Sequence, residues 1–201
     1  MKKKLILIGV LLLLTSCIAS TPKHFKDYLG EYQDELYVNE KLGFKLEKIT
    51  GYEISSADSL RRELEALYED KTSAERKELD KSRKLFVTRN AALDVSMRID
   101  LEYRKDDPRL DVENYIAHVK EFYKDNQDIQ FSFLDHFPYQ IANQEYTLLT
   151  AFSKSYQRIV YFYLRPTGDY MLVITISTTD TIQGNEAALK LIRSFQEYKI
   201  D

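Results

Sequence analysis

The spacing of hydrophobic residues along the chain switches between the two-residue period of strands and the longer period of helices. Apolar and polar residues alternate strictly from residue 95 to residue 104, which predicts a strand with one face in a core and a wetter opposite face. The apolar set is Val95, Met97, Ile99, Leu101 and Tyr103, and the polar set is Ser96, Arg98, Asp100, Glu102 and Arg104. Shorter runs at 42–49 and 85–90 predict two further strands.

Two other stretches carry apolar residues at helical spacing. Residues 111–125 predict an amphipathic helix that Asp111 caps, because their apolar residues recur three, four and seven positions apart. These residues are Val112, Tyr115, Ile116, Val119, Phe122 and Tyr123. A second helix is predicted within 184–200, with an apolar stripe of Ala188, Leu191, Ile192 and Phe195.

Four consecutive β-rich runs, at 128–134, 144–153, 156–165 and 169–178, predict an antiparallel meander. The third run is apolar on both faces, which favours a central strand covered twice. An exposed aromatic binding face, with Tyr161 and Tyr163, is the alternative. Together the elements predict an α+β fold, a mostly antiparallel β-sheet sandwiched by helices.

Residues 55–84 differ from the rest because more than half of them are charged. Thr72 and Glu75 fit a capping box, and Asp80 and Lys84 have the spacing of a helical ion pair. Leu60, Leu64, Leu67 and Tyr68 fall at helical spacing. The segment is either a solvated helical hairpin laid on the sheet or an arm that binds a protein partner.

The N-terminus has the pattern of a secretory signal. Three lysines precede ten mostly apolar residues, 5–14. As a helix these ten residues would rise about 15 Å, half of a hydrocarbon core about 30 Å thick, so they are too short to span a membrane permanently. The alternative, a buried core helix, conflicts with the terminal lysines.

The signal ends in Leu14-Thr15-Ser16-Cys17, which resembles the lipobox of bacterial lipoproteins. The resemblance implies that the Cys17 sulfur forms a thioether to diacylglycerol and that a peptidase cuts before it. The alternative is an ordinary secretory signal with a chance cysteine. The expected organisation is a signal peptide at 1–16, a lipidated cysteine and tether at 17–36, and one α+β domain at 37–201 with the charged insertion at 55–84.

Composition narrows the function classes further. The 201 residues carry a formal net charge of −3, which argues against nucleic acid as a partner. Cys17 is the single cysteine, so no internal disulfide and no cluster of cysteine metal ligands is expected. The sequence has no glycine-rich phosphate loop, no G-x-S-x-G motif and no H-E-x-x-H motif. We therefore expect no cofactor and no resident metal.

One short stretch is a candidate for chemistry. His136 follows Asp135 in "FLDHFPY", with Tyr139 three residues further on. These three side chains form a possible polar site, although a metal ion would need three convergent ligands there. The alternative is a polar loop in which Pro138 sets the turn.

The order of these pieces resembles the PsbP-like family, whose fold is the PsbP/DcrB-like α-β-α sandwich. The resemblance rests on four short motifs of the chain: residues 37–46 (YVNEKLGFKL), 110–115 (LDVENY), 141–146 (IANQEY) and 168–174 (GDYMLVI). Asn143 stands where the family pattern has glycine, and the Pro-Gly-Trp usual after the first strand is absent. The resemblance implies the fold and a role in binding or assembly. It carries over no site residue.

Three functional hypotheses remain at this point. The first is a non-catalytic binding module in the bacterial cell envelope, anchored by Cys17 on the extracytoplasmic side of a membrane. The second is an envelope hydrolase or metal-dependent enzyme that uses Asp135 and His136. The third is an accessory to the assembly of a membrane complex, which would contact its protein partner through residues 55–84.

Replacing Cys17 by alanine tests the anchor. We expect the parent protein to fractionate with membranes and to incorporate labelled fatty acid. The Cys17→Ala variant is expected to lose the label, because no other thiol is available for acylation. Equal membrane retention of both proteins, with label in neither, contradicts the lipoprotein assignment.

Overall fold

The computed structural model describes residues 23–33, 35–56, 59–60, 62–63, 66, 69, 71–124 and 130–199. Among them lie twelve strands, numbered in chain order: β1 (Glu31–Gln33), β2 (Leu36–Asn39), β3 (Phe44–Glu47), β4 (Glu53–Ile54), β5 (Ser82–Asn90), β6 (Val95–Tyr103), β7 (Phe131–Phe133), β8 (Phe137–Ile141), β9 (Gln144–Ser153), β10 (Arg158–Thr167), β11 (Tyr170–Thr179) and β12 (Phe195–Glu197). Three α-helices have described bounds: α1 (Ser73–Leu79), α2 (Val112–Lys124) and α3 (Ile182–Arg193). Two short 3-10 helices are at Lys23–Tyr28 and Pro108–Leu110. Cys17 and the predicted signal lie outside the described residues, as do Leu64, Leu67 and Tyr68.

The strands form two antiparallel sheets. The large sheet has the order β4-β5-β6-β11-β10-β9-β7, and β8 pairs with β9 as well. The small sheet has the order β1-β2-β3-β12. The predicted meander is present as β9, β10 and β11, which are joined by consecutive hairpins. The fold is therefore α+β and mostly antiparallel, as the sequence predicted.

Two hydrophobic cores lie on opposite faces of the large sheet. The inner core lies between that sheet, the small sheet and α3, and the odd-numbered residues of β6 from Val95 to Leu101 are at its centre. Phe44 and Phe195 bring β3 and β12 into this core, with ring centroids 5.2 Å apart. The outer core lies under α2, where Tyr115, Ile116 and Val119 pack against β9, β10 and β11. The layers are therefore α2, the large sheet, and the small sheet with α3.

The turn between β8 and β9 depends on left-handed backbone at two consecutive residues. Ala142 and Asn143 have φ values of 48° and 58°, and they lie between the paired residues Ile141 and Gln144. Two-residue hairpins favour this geometry because its twist matches that of the flanking strands. Asparagine tolerates it better than most residues. The position where the family pattern has glycine is thus filled by a compatible side chain.

The folded domain begins before Tyr37. Phe25 is fully buried, with its ring centroid 5.7 Å from that of Tyr170. Strand β1 pairs with β2 through Glu31–Gln33. Residues 25–33, expected in the tether at 17–36, therefore pack as part of the domain.

In the charged segment, residues 55–84, one local prediction is confirmed and another is wrong. The Thr72 N–H donates to Glu75 Oε2 at 2.8 Å, and the Glu75 N–H donates to Thr72 Oγ1 at 3.3 Å, which is the expected capping box. Lys84, in contrast, is not on a helix with Asp80, because β5 already begins at Ser82. Its Nζ lies 2.5 Å from Oε2 of Glu63, a helical residue of the same segment.

Two further predictions were wrong at element ends. Phe195 continues the apolar stripe of α3 in the sequence, but the helix ends at Arg193 and Phe195 begins β12. Pro138 lies in strand β8 opposite Thr147 and not in a loop. A proline is tolerated there because β8 pairs on one side only.

Among the described residues no helix has both the length and the apolar character required to cross a membrane.

A pair of Leu→Ala substitutions tests the position of the inner core. Leu101 is fully buried on β6, whereas Leu189 on α3 is 44% exposed. We expect Leu101→Ala to lower the free energy of unfolding by about 2–5 kcal/mol, because it removes buried methyl groups and leaves a cavity. Leu189→Ala is expected to change it by less than about 1 kcal/mol. Urea denaturation measures both, and equal losses would contradict the assigned core.

Candidate functional site

A cavity of about 160 Å³ lies between α2 and the charged face of β6. We call it the α2 cavity. Its floor is formed by Arg98, Asp100 and Glu102 of β6 together with Val173 and Thr175 of β11. Its walls are formed by Phe162 of β10 and by the α2 residues Tyr115, His118, Val119, Phe122 and Tyr123.

The alternation of β6 explains why charged side chains line this cavity. Even-numbered residues point away from the inner core, because successive side chains of a strand face opposite ways. Antiparallel pairing places Asp100 between Lys84 of β5 and Val173 of β11. Arg98 likewise pairs with Thr175. The predicted polar face of this strand is therefore confirmed, and it is the floor of a cavity.

Helix α2 covers only part of this floor. Its apolar stripe packs towards β10, through Tyr115, Ile116 and Val119. Tyr115 also reaches β6, where its hydroxyl donates to Glu102 Oε1 at 2.9 Å. At the other end of the helix Phe122 is 65% exposed and forms the rim. The cavity remains beside the helix because the backbone of α2 approaches β10 and β7 more closely than any other strand.

The two acids of the floor are paired with Arg98 of β6 and with Arg104, which directly follows β6. Arg98 Nε donates to Asp100 Oδ2, and Arg104 Nη2 donates to Glu102 Oε2. Asp100 is only 6% exposed. Burial raises its pKa to about 6 even though Arg98 acts in the opposite direction, and the neighbouring charge of Glu102 adds to the increase.

Two further polar groups of the cavity, Tyr115 and His118, each have a protein partner. Burial raises the pKa of the Tyr115 hydroxyl, and the adjacent Glu102 carboxylate raises it further. His118 lies at the far side, where its Nε2 is 3.5 Å from Nη1 of Arg109. Asp107 in turn holds Arg109, and the hydrogen bonds from that guanidinium lower the pKa of Asp107.

The three residues singled out from the sequence lie elsewhere. His136 Nε2 is 2.8 Å from Oε1 of Glu113, at the start of α2. Asp135 is exposed, and Tyr139 packs its ring against Tyr163 on the inner-core side, with centroids 5.2 Å apart. Tyr139 and His136 therefore contact opposite faces of the sheet and do not share one site. The hydrolase alternative stays a prediction.

Metal binding has no geometric support in the described part of the chain. Among those residues, no group of three or more histidine, cysteine, aspartate or glutamate side chains is arranged to hold a metal ion.

Two residues of the α2 cavity, Asp100 and His118, were not predicted as site residues from the sequence. The only signal in the sequence was the pair of acids, Asp100 and Glu102, on the polar face of a strand whose opposite face is regularly apolar.

Comparison with known proteins gives a fold. No protein-family model matches the sequence, and no curated protein matches it. The solution structure of cyanobacterial PsbP (CyanoP) from Synechocystis sp. PCC 6803 is similar, with a TM-score of 0.50 and 13% sequence identity, over 85% of this chain and 99% of that chain. The Saccharomyces cerevisiae Ran-binding protein Mog1p gives a TM-score of 0.42 at 14% identity, over 77% of this chain and 90% of that one. A Bacteroides thetaiotaomicron VPI-5482 structure gives 0.41 at 10% identity, over 84% of this chain and 50% of that one.

The fold is thus a PsbP-like α+β fold. At these identities the similarity shows the backbone architecture alone, and it assigns no role to the side chains of the α2 cavity.

Replacing Asp100 by asparagine tests the electrostatics of the cavity. Because the folded-state pKa of about 6 exceeds the ordinary value of 3.8, the folded protein holds a proton between these pH values that the unfolded chain has lost. The Asp100 contribution to stability therefore falls as pH rises from about 4 to about 6 and is constant above that range. We expect Asp100→Asn to remove this fall and to stabilise the protein by roughly 1–3 kcal/mol at pH 7.

Urea denaturation between pH 4 and pH 8 measures this effect. The substitution leaves the neighbouring side chains of Asp100 unaltered. These are Arg98 and Glu102 on its own strand, Lys84 on β5 and Tyr115 on α2. Asp180→Asn is the matched control, because Asp180 is exposed in the bend that follows β11. Parallel pH profiles of stability for the parent and Asp100→Asn would show that folding does not raise the pKa of Asp100.

Proposed function

We propose that this protein is a lipid-anchored, non-catalytic binding module of the bacterial cell envelope, and that its ligand or partner occupies the α2 cavity. The observation that carries the proposal is the burial of charged side chains against a cavity. Stability alone does not favour such an arrangement, since buried ion pairs rarely contribute more than apolar residues of similar volume. A recognition role gives these charges a purpose.

The charge arrangement supports holding a ligand more than reacting with it. Each acid on the floor is already engaged by an arginine, and Glu102 also accepts from Tyr115. Fixed, paired charges beside aromatic walls are typical of recognition sites, where a few polar groups orient a ligand that apolar surface binds.

The charged segment extends this surface. Lys84, which pairs with Asp100 across the sheet, also contacts Glu63 of the segment. Through Glu63 the charged segment therefore reaches the same face of the large sheet as the α2 cavity. We propose that a protein partner would contact the segment and the cavity together, while Cys17 holds the molecule on the extracytoplasmic side of the membrane.

Site-specific photo-cross-linking tests this function in cells. Benzoylphenylalanine at position 122 places the reactive group on the cavity rim, and the same residue at position 182 is the control. Both native side chains are apolar and largely exposed, at 65% and 80%, but Ile182 begins α3 on the other side of the sheet. We expect a discrete adduct in the membrane fraction from position 122 alone. Identical adducts from both positions, or none from either, would contradict the proposal.

A further inference from the structure

We infer that the α2 cavity binds an organic cation, an alkylammonium or guanidinium group carried on an apolar body. The inference rests on the proposed binding function and names the chemical class of the ligand. It follows from the aromatic walls of the cavity, from the acids of its floor and from the different exposure of its charged side chains.

The walls of the cavity are rich in aromatic rings. Tyr123 stands between Phe122, with ring centroids 5.3 Å apart in an edge-on arrangement, and Phe162, at 5.9 Å. Tyr115 adds a fourth ring. The faces of aromatic rings carry partial negative charge, so they attract a cation as well as an apolar body.

The floor presents acids more deeply than bases. The side chain of Asp100 is 9% exposed, whereas that of its partner Arg98 is 54% exposed. Water therefore screens the exposed guanidinium more than the buried carboxylate, so the pair is electrostatically unequal on the side that faces the cavity. The raised pKa of Asp100 is the expected consequence. A ligand cation would add positive charge on the cavity side of the carboxylate.

An anionic ligand is disfavoured by the same geometry. It would face Asp100 and Glu102 across the floor. The nearby arginines are already engaged: Arg98 by Asp100, Arg104 by Glu102, and Arg109, beyond His118, by Asp107. Like charges in direct contact, with no water between them, repel strongly.

A matched series of small aromatic probes tests the inference. The full chain, labelled with 4-fluorophenylalanine and held in an uncharged detergent, is titrated with benzylamine, benzyl alcohol and benzoate and followed by ¹⁹F NMR. Phe122 and Phe162 both line the cavity, and their resonances are assigned by single substitutions. We expect benzylamine to produce saturable shifts at both residues, with a Kd at least about tenfold below that of benzyl alcohol, as one charge-assisted hydrogen bond provides. Benzoate should bind most weakly.

Variants separate the charge from the shape of the cavity. Asp100→Asn is expected to weaken benzylamine binding about tenfold and to leave benzyl alcohol within about twofold, because the amide keeps the volume and removes the charge. Asp180→Asn is the control and should change neither. The other fluorine resonances report whether each variant remains folded, and Phe122→Ala at the exposed rim gives a second test at low risk to folding.

The outcomes distinguish the inference from the proposed function. Tighter binding of benzoate or benzyl alcohol than of benzylamine overturns the cationic class and leaves a binding cavity in place. Absence of saturable shifts with all three probes also overturns the inference, and cross-linking at position 122 then decides separately whether the cavity is used at all. An unchanged benzylamine Kd in Asp100→Asn overturns the assigned role of the carboxylate.

Discussion

Strand β6 imposes one register on the whole molecule. It is hydrogen-bonded on both sides, to β5 and β11, and its apolar and polar residues alternate without interruption. A slip of one residue would move Ile99 into the α2 cavity and Asp100 into the inner core, and burial of an unpaired carboxylate is far more costly than any strand pairing can offset. The sheet, the two cores and the cavity floor are thus fixed by a single sequence pattern.

The elements that sequence pattern predicted well are those whose signal is local. The alternation of β6 and the helical spacing of α2 each contain enough residues to define a period, and both elements form where expected. The short strands β1, β4 and β12 were missed because runs of two or three residues are too short to show a period. Strand β12 pairs with β3 across some 150 positions, and no period marks a run of three residues. Only Ser194 separates α3 from β12, so the stripe of the helix seemed to continue through Phe195.

The candidate site was predictable only in part, for a related reason. The sequence indicates that Arg98, Asp100 and Glu102 share the wetter face of a strand. It does not indicate that α2 lies over β10 and leaves these residues beside a cavity, nor that Asp100 is buried while Arg98 is not. Those facts depend on how a helix packs across several strands. Asp135 and His136 attracted attention because they are adjacent in sequence, but in the link between β7 and β8 Asp135 is exposed while His136 contacts Glu113 of α2.

The burial of Phe25 has a consequence for the geometry of the protein at a bilayer. Eight residues lead from Cys17 to Phe25, and an extended chain of that length spans at most about 28 Å. Phe25 packs on Tyr170, the first residue of β11. If Cys17 carries lipid, the tip of the β10–β11 hairpin can stand off from the headgroups by little more than the width of a small domain. The molecule would then search for its target by lateral diffusion in two dimensions, within one thin layer of the periplasmic or exterior space.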